Sequence, residues 1–131
     1  MGADVNNDNK PIAGCWVAIR VDVTADDVEN IMCDAAMFGS WWGRLRMMDG
    51  HIIRAIVVDP DRPLPRWKGY RITPKMVAKA IADLIDNGFD ANYPSGALAE
   101  FAVTGEFGGG YDSVVADAIL QQAMFGEVVY G

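Results

Sequence analysis

Apolar and polar positions follow two successive periods in the first third of the chain. From Cys15 to Val23 they alternate, with Cys15, Val17, Ile19, Val21 and Val23 on one face. A period of two residues is typical of a half-buried β-strand. From Thr24 onward, apolar residues recur three and four positions apart: Val28, Ile31, Met32, Ala35 and Phe38. This spacing predicts an amphipathic helix that Thr24 caps and Gly39 ends.

Residues 41–72 have the pattern of an antiparallel sheet. Asp49-Gly50 separates the segment Trp41–Met48 from the segment His51–Asp59. Asp-Gly fits the two-residue type I′ turn that joins neighbouring strands of a hairpin. Residues 60–65 contain three prolines and predict a loop, because proline cannot donate to a ladder of hydrogen bonds. Trp67–Ile72 predicts another short strand, with Gly69 as an unfavourable residue in its middle.

The second half of the chain predicts mainly helices. Thr73-Pro74 begins one helix and Asn87-Gly88 ends it, with an apolar stripe between them. A short helix is expected over 97–103, followed by a flexible glycine-rich loop over 105–110. Asp112 or Ser113 then caps a third long helix that ends at Gly126, and residues 127–130 predict a terminal strand.

The order of these elements determines the predicted fold class. Helices and strands do not alternate regularly, and Asp49-Gly50 joins two strands directly, so the sequence predicts an α+β protein. We expect a small antiparallel sheet packed against three to four helices in a single domain over residues 12–131, after a flexible N-terminal arm over residues 1–11. A total of 131 residues suits one domain of this kind.

Charge is distributed unevenly along the chain. The net charge is −7, but residues 41–75 hold eight basic and three acidic side chains, a net +5, whereas the remaining residues hold three basic and fifteen acidic ones, a net −12. Arginine interleaved with aromatic residues is what pairing with phosphates and stacking on bases requires. One interpretation is therefore a nucleotide or single-stranded nucleic-acid binding protein that uses the segment 41–71, with the candidate binding residues Trp41, Trp42, Arg44, Arg46, Arg54, Trp67, Tyr70 and Arg71. The alternative interpretation is an ordinary exposed sheet face that arginine stems cover.

Catalytic and metal chemistry have few candidate residues. His51 is the only histidine, Cys15 and Cys33 are the only cysteines, and no serine lies in a nucleophile motif. The loop over 105–110 lacks the Lys-Ser/Thr ending of a phosphate-binding loop. We therefore expect a protein that is not an enzyme and that uses no cofactor and no metal. Its apolar runs are too short to cross a bilayer, so we expect no membrane association and a cytoplasmic location.

Two stretches resemble a family of small, uncharacterised phage and prophage proteins. The first runs from Val23 to Met32 and continues to Gly39 and Trp41-Trp42, and the second is the terminal helix followed by Phe125-Gly126-Glu127-Val128-Val129-Tyr130-Gly131. The resemblance implies an accessory protein that binds a host macromolecule in the host cytoplasm, for example as an inhibitor of a host defence component. It implies no catalytic residue. An exposed edge of the predicted terminal strand adds the expectation of a homodimer, because strand edges invite pairing.

Overall fold

A computed structural model describes residues 11–14, 20–37, 42–58, 67–89 and 96–129 of the chain. Within these residues the elements follow one another as α1 (Ala25–Ala36), β1 (Trp42–Met48), β2 (Ile52–Val58), β3 (Trp67–Ile72), α2 (Pro74–Asp86), α3 (Ala97–Thr104) and α4 (Ser113–Phe125). The predicted α+β class is confirmed. The predicted arm up to residue 10, the first part of the first predicted strand, Trp41, the proline-rich loop and Tyr130 lie outside the described residues.

The three strands form one antiparallel sheet in the order β1-β2-β3, so β2 is the central strand. Its residues Ile53, Ala55 and Val57 are fully buried and point towards the helices. Their partners on β1 and β3 include Met47, Leu45, Ile72 and Tyr70, which share this inward face. The alternate positions of the strands are exposed or half-buried. The described helices therefore cover one face of the sheet and leave the other face open.

Helix α4 is the centre of the helical layer. Every residue from Val115 to Gln122 is buried, and the helix contacts α1, α2 and β3. A helix that is buried on all sides needs neighbours around its whole circumference. Because Asp117 lies within this buried stretch with only 1% of its surface exposed, its carboxylate needs partners inside the protein.

Side-chain caps fix the starts of three helices where the sequence predicts them. The Thr24 hydroxyl accepts a hydrogen bond from the Asp27 backbone N–H at 3.1 Å, and the Asp27 carboxylate accepts one from the Thr24 N–H at 2.8 Å. Thr73 accepts from the Met76 N–H at 3.2 Å, and Asp112 accepts from the Val115 N–H at 3.0 Å. These bonds satisfy amide groups that have no partner within the helix.

The predicted two-residue hairpin turn is wrong. Met48 pairs with Ile52, so the loop contains three residues, Asp49, Gly50 and His51, and both Gly50 and His51 have positive φ angles, of 76° and 57°. A two-residue loop would place Leu45 opposite Arg54 and Arg46 opposite Ile53. The observed register places apolar residues opposite apolar residues on the inward face, and burial of that face decides the register.

Two other predicted strands are not found in the described residues. Residues 20–24 belong to no strand, although Val21 and Val23 pack against the core as their alternation predicts. Residues 127–129 also form no strand. The Val129 N–H instead donates to the Gln121 side-chain oxygen at 2.8 Å, so this segment lies against α4. The homodimer expected from a terminal strand stays a prediction.

An aromatic column anchors the glycine-rich loop over residues 105–110, for which the sequence predicts flexibility. The Phe107 ring stacks between those of Phe101 and Tyr111, with ring-centre distances of 4.2 and 4.1 Å and interplanar angles of 18°. The Tyr111 hydroxyl then donates to the Asp34 carboxylate of α1 at 2.9 Å. Burial raises the pKa of the Tyr111 phenol well above its usual value, and the hydrogen bond to Asp34 raises this pKa further.

The raised pKa of Tyr111 predicts a loss of stability at alkaline pH. In the unfolded chain the phenol ionises near pH 10, whereas the folded protein keeps it protonated. The free energy of unfolding should therefore be unaffected by this group below about pH 10 and should fall as the pH rises further. Urea unfolding at pH 8 and at pH 11 measures this fall. Tyr111→Phe should be less stable than the native chain at pH 8 but should lose less stability between the two pH values.

A matched control for this prediction is Tyr70→Phe, because Tyr70 is also a half-buried tyrosine but has no carboxylate partner in the described residues. This variant should show the same alkaline loss as the native chain. An equal loss in Tyr111→Phe and in the native chain would assign the alkaline transition to other groups.

Candidate functional site

The open face of the sheet carries four arginines, Arg44, Arg46, Arg54 and Arg71, which we call the arginine face. Register places three of them in one row across the strands, since Arg46 of β1 pairs with Arg54 of β2 and Arg54 pairs with Arg71 of β3. All three are exposed. Arg44 lies in the next row, opposite Ile56, and Gly69 is the partner of Ile56 on the other side. Sequence reasoning proposed these arginines as binding residues, and the sheet brings them together.

This row of arginines is electrostatically unfavourable for the isolated protein. Directly opposed side chains on neighbouring strands lie about 5 Å apart at their Cβ atoms, and like charges at that separation destabilise a sheet. The three strands contain no acidic residue. Within the described part of the chain the ion pairs are Arg20 with Asp22 and Lys79 with Asp83, so none of the four arginines has a carboxylate partner there.

Two depressions lie on the arginine face, one on each side of the Arg54 side chain. The larger has a volume of about 440 Å³ and is lined by Met48, Arg54, Gly69, Tyr70 and Arg71. The smaller, of about 210 Å³, is lined by Arg44, Arg46, Arg54 and Ile56. Both depressions thus combine guanidinium groups with apolar surface. A ligand with anionic groups and flat apolar parts matches this lining.

Trp67 covers one end of the same face. It is 62% exposed, and its position opposite Val58 places it on the open side of the sheet. Gly43 is the extra residue at a register shift in β1, and a Cβ atom built on it would lie 2.5 Å from the Trp67 ring. The indole therefore extends across the sheet onto the bare backbone of Gly43. In this position it presents a large aromatic surface beside the arginines.

Of the other aromatic candidates, Trp42 and Tyr70 are described, and both point away from the arginine face. The Trp42 indole N–H donates to the Asp117 carboxylate at 2.8 Å on the helical side of the sheet. The Tyr70 ring packs edge-on against Phe125 of α4 at 5.4 Å, and the Lys68 ammonium lies 5.1 Å from the centre of the same ring. Tyr70 still contributes to the wall of the larger depression. Trp41 lies outside the described residues.

A buried polar chain supports the sheet from behind. Asp117 accepts hydrogen bonds from Trp42 at 2.8 Å and from the Gln121 side-chain amide at 2.5 Å, and Gln121 in turn accepts from the Val129 N–H. These bonds connect β1, α4 and the terminal segment. Sequence reasoning missed Asp117, although a carboxylate in the apolar stretch Val114–Leu120 is a signal that it needs an internal partner.

Metal-ligand clusters and membrane-spanning helices were sought in the described part of the chain. Its residues contain no group of three or more His, Cys, Asp or Glu side chains placed to hold a metal ion. His51 is exposed in the hairpin loop. Among the helices that the structure describes, none is long and apolar enough to cross a membrane.

Comparisons with protein-family models, with curated proteins and with solved structures give no match to this chain. The resemblance to phage and prophage proteins therefore stays a prediction that rests on the terminal motifs.

Proposed function

We propose that this protein binds single-stranded nucleic acid on the arginine face. The observation that carries the proposal is the row Arg46–Arg54–Arg71, three cations directly opposed across the sheet without a carboxylate partner in the described residues. Phosphate groups of a ligand would supply the missing negative charge, and guanidinium groups bind phosphate through paired hydrogen bonds. Trp67 supports the proposal, because exposed aromatic rings provide stacking surfaces for unpaired bases.

The dimensions of the arginine face favour a single strand over a duplex. Strands lie about 4.8 Å apart, so a row across three strands spans about 10 Å. Such a narrow positive strip matches the backbone of one strand. A duplex also keeps its bases paired and stacked on one another, so Trp67 would have no unpaired base to stack on.

Binding of an eight-nucleotide oligothymidylate tests the proposal. We expect quenching of tryptophan fluorescence through stacking on Trp67, and an affinity that falls as salt rises. If four phosphates contact the four arginines, the logarithm of the association constant should decrease with the logarithm of salt concentration with a slope of about −3. The matching duplex should bind more weakly. Absence of any binding at about 50 mM salt would contradict the proposal.

The accessory role predicted from the terminal motifs provides the main competing explanation of the arginine face. A host protein with an acidic surface would also complement these four cations. That class of partner becomes the preferred proposal if oligonucleotides do not bind at low salt. A specific host protein should then be captured by the native chain and lost when Arg54 is replaced by glutamine.

A further inference from the structure

Gly69 occupies a position where the fold itself does not require glycine. It lies in the middle of β3, opposite Ile56 on the open face. A Cβ atom added there would meet nothing within 4 Å, and its φ angle is not in the left-handed region. Glycine inside a strand is less favourable than alanine, because it loses more conformational freedom on folding. A side chain at this position would therefore fit and would favour the strand.

The other glycine within a strand shows what a structural requirement looks like. At Gly43 an added Cβ atom would lie 2.5 Å from the Trp67 ring and 3.0 Å from the Ile56 carbonyl oxygen. The observed position of the Trp67 ring thus requires glycine at position 43. At position 69 the space is empty, and it forms part of the 440 Å³ depression lined by Arg54, Arg71 and Met48. A glycine that leaves strand backbone open is typical of a place where a ligand approaches closely.

We infer that the depression at Gly69 seats one nucleotide of the bound strand, with its base against the bare backbone of β3 and its phosphate on Arg54 and Arg71. This inference rests on the proposed function and adds to it the position and orientation of one unit of the ligand. A volume of about 440 Å³ lies within the range of pockets that hold small ligands. The two arginines are direct neighbours across the strands, so one phosphate can contact both guanidinium groups.

Gly69→Val tests the inference, because a valine side chain covers the bare backbone of β3 inside the depression without removing any charge. The variant should be at least as stable as the native chain, since β-branched residues favour strands. Its affinity for the eight-nucleotide oligothymidylate should fall about 10-fold or more through the loss of one base contact. Its affinity for inorganic tripolyphosphate, which needs only the arginines, should change less than about 2-fold. Isothermal titration calorimetry measures both affinities, and circular dichroism measures thermal unfolding.

Two further variants separate the possible outcomes. Gly109→Val is the matched control, because Gly109 also has nothing within 4 Å of an added Cβ atom but lies outside the sheet; it should bind both probes as the native chain does. Arg54→Gln should lower the affinity for both the oligothymidylate and tripolyphosphate. If Gly69→Val binds the oligonucleotide as tightly as the native chain and Arg54→Gln binds it more weakly, the inference is overturned but the proposed function is not. An equal decrease of both affinities in Gly69→Val would also overturn the inference. Native affinity for the oligonucleotide in Arg54→Gln would contradict the proposed function.

Discussion

Replacing Arg46, Arg54 and Arg71 together by glutamine should stabilise the protein and at the same time remove the proposed binding of single-stranded nucleic acid. The variant lacks two directly opposed like-charge pairs, so its free energy of unfolding should rise by about 1 kcal/mol. Hydrogen bonds to charged groups contribute about 1.5–3 kcal/mol each, so loss of three arginine–phosphate contacts should lower the affinity at least 1,000-fold. The salt dependence of any remaining binding should become weaker by about two units of slope.

The chain offers a control with the same change in net charge. Arg20, Lys75 and Lys79 lie away from the open face, and Arg20 and Lys79 form ion pairs with Asp22 and Asp83. Replacing these three residues by glutamine should lower stability slightly, because exposed ion pairs contribute up to about 1 kcal/mol, and should change oligonucleotide affinity only a few-fold. Urea unfolding and fluorescence titration measure both quantities. If both triple variants lose affinity equally, net charge and not the arginine face governs binding.

Asp117→Ala should lower the free energy of unfolding by about 3 kcal/mol. The substitution removes the buried carboxylate that accepts hydrogen bonds from the Trp42 indole N–H and from the Gln121 side-chain amide. Loss of one partner of a buried hydrogen bond costs about 1–3 kcal/mol, and this substitution removes the acceptor of two such bonds. Oligonucleotide affinity should also fall, because β1, which carries Arg44 and Arg46, loses its hydrogen bond to α4. Urea unfolding and the same fluorescence titration measure the two effects.

Two variants show whether this effect belongs to the buried carboxylate. Asp86→Ala removes an exposed carboxylate at the end of α2 and should change stability by no more than about 0.5 kcal/mol. Trp42→Phe removes the indole donor, and combining it with Asp117→Ala should give less than the sum of the two single effects. A loss below about 1 kcal/mol in Asp117→Ala, or strict additivity with Trp42→Phe, would contradict the proposed role of this hydrogen bond.

Elements that depend on neighbouring residues could be predicted from the sequence. Thr24, Thr73 and Asp112 accept hydrogen bonds from amides three residues later, so the signal for each helix start lies within a few positions. The strand Trp67–Ile72 was likewise predicted with its observed bounds. The predicted strand over 15–23 continued to Val23, but residues 20–24 pair with no other strand. Alternation shows which side chains face the core, whereas pairing requires a partner that local sequence does not specify.

Prediction of the arginine row requires the correct pairing register of β1 and β2. The turn preference of Asp49-Gly50 gives a register that is wrong by one residue. In the two-residue turn that Asp49-Gly50 favours, Arg46 would lie opposite Ile53, and Arg46 and Arg54 would point to opposite faces of the sheet. The third loop residue, His51, places both arginines on the open face. The basic segment could therefore be found by composition, but its assembly into one row follows from burial of Leu45, Met47, Ile53 and Ala55 on the inward face.

The roles of individual aromatic residues needed the three-dimensional contacts. Trp42 and Trp67 look equivalent in the sequence as aromatics beside arginines. Trp42 contacts Asp117, which is 75 residues further along the chain, whereas Trp67 lies over Gly43 on the opposite face. Partners at such separations follow from the packing of the helices on the sheet and not from any local pattern.

The bond between Trp42 and Asp117 also orders events during synthesis of the chain. The sheet is built from segments that are neighbours in sequence, so its three strands leave the ribosome well before α4 does. The hydrogen-bond acceptor of the Trp42 indole lies 75 positions later in the chain. Contacts between distant positions form late, because the intervening chain must first close into a loop. The hydrogen bond that connects β1, and with it Arg44 and Arg46, to α4 can therefore form only after residue 117 has been synthesised.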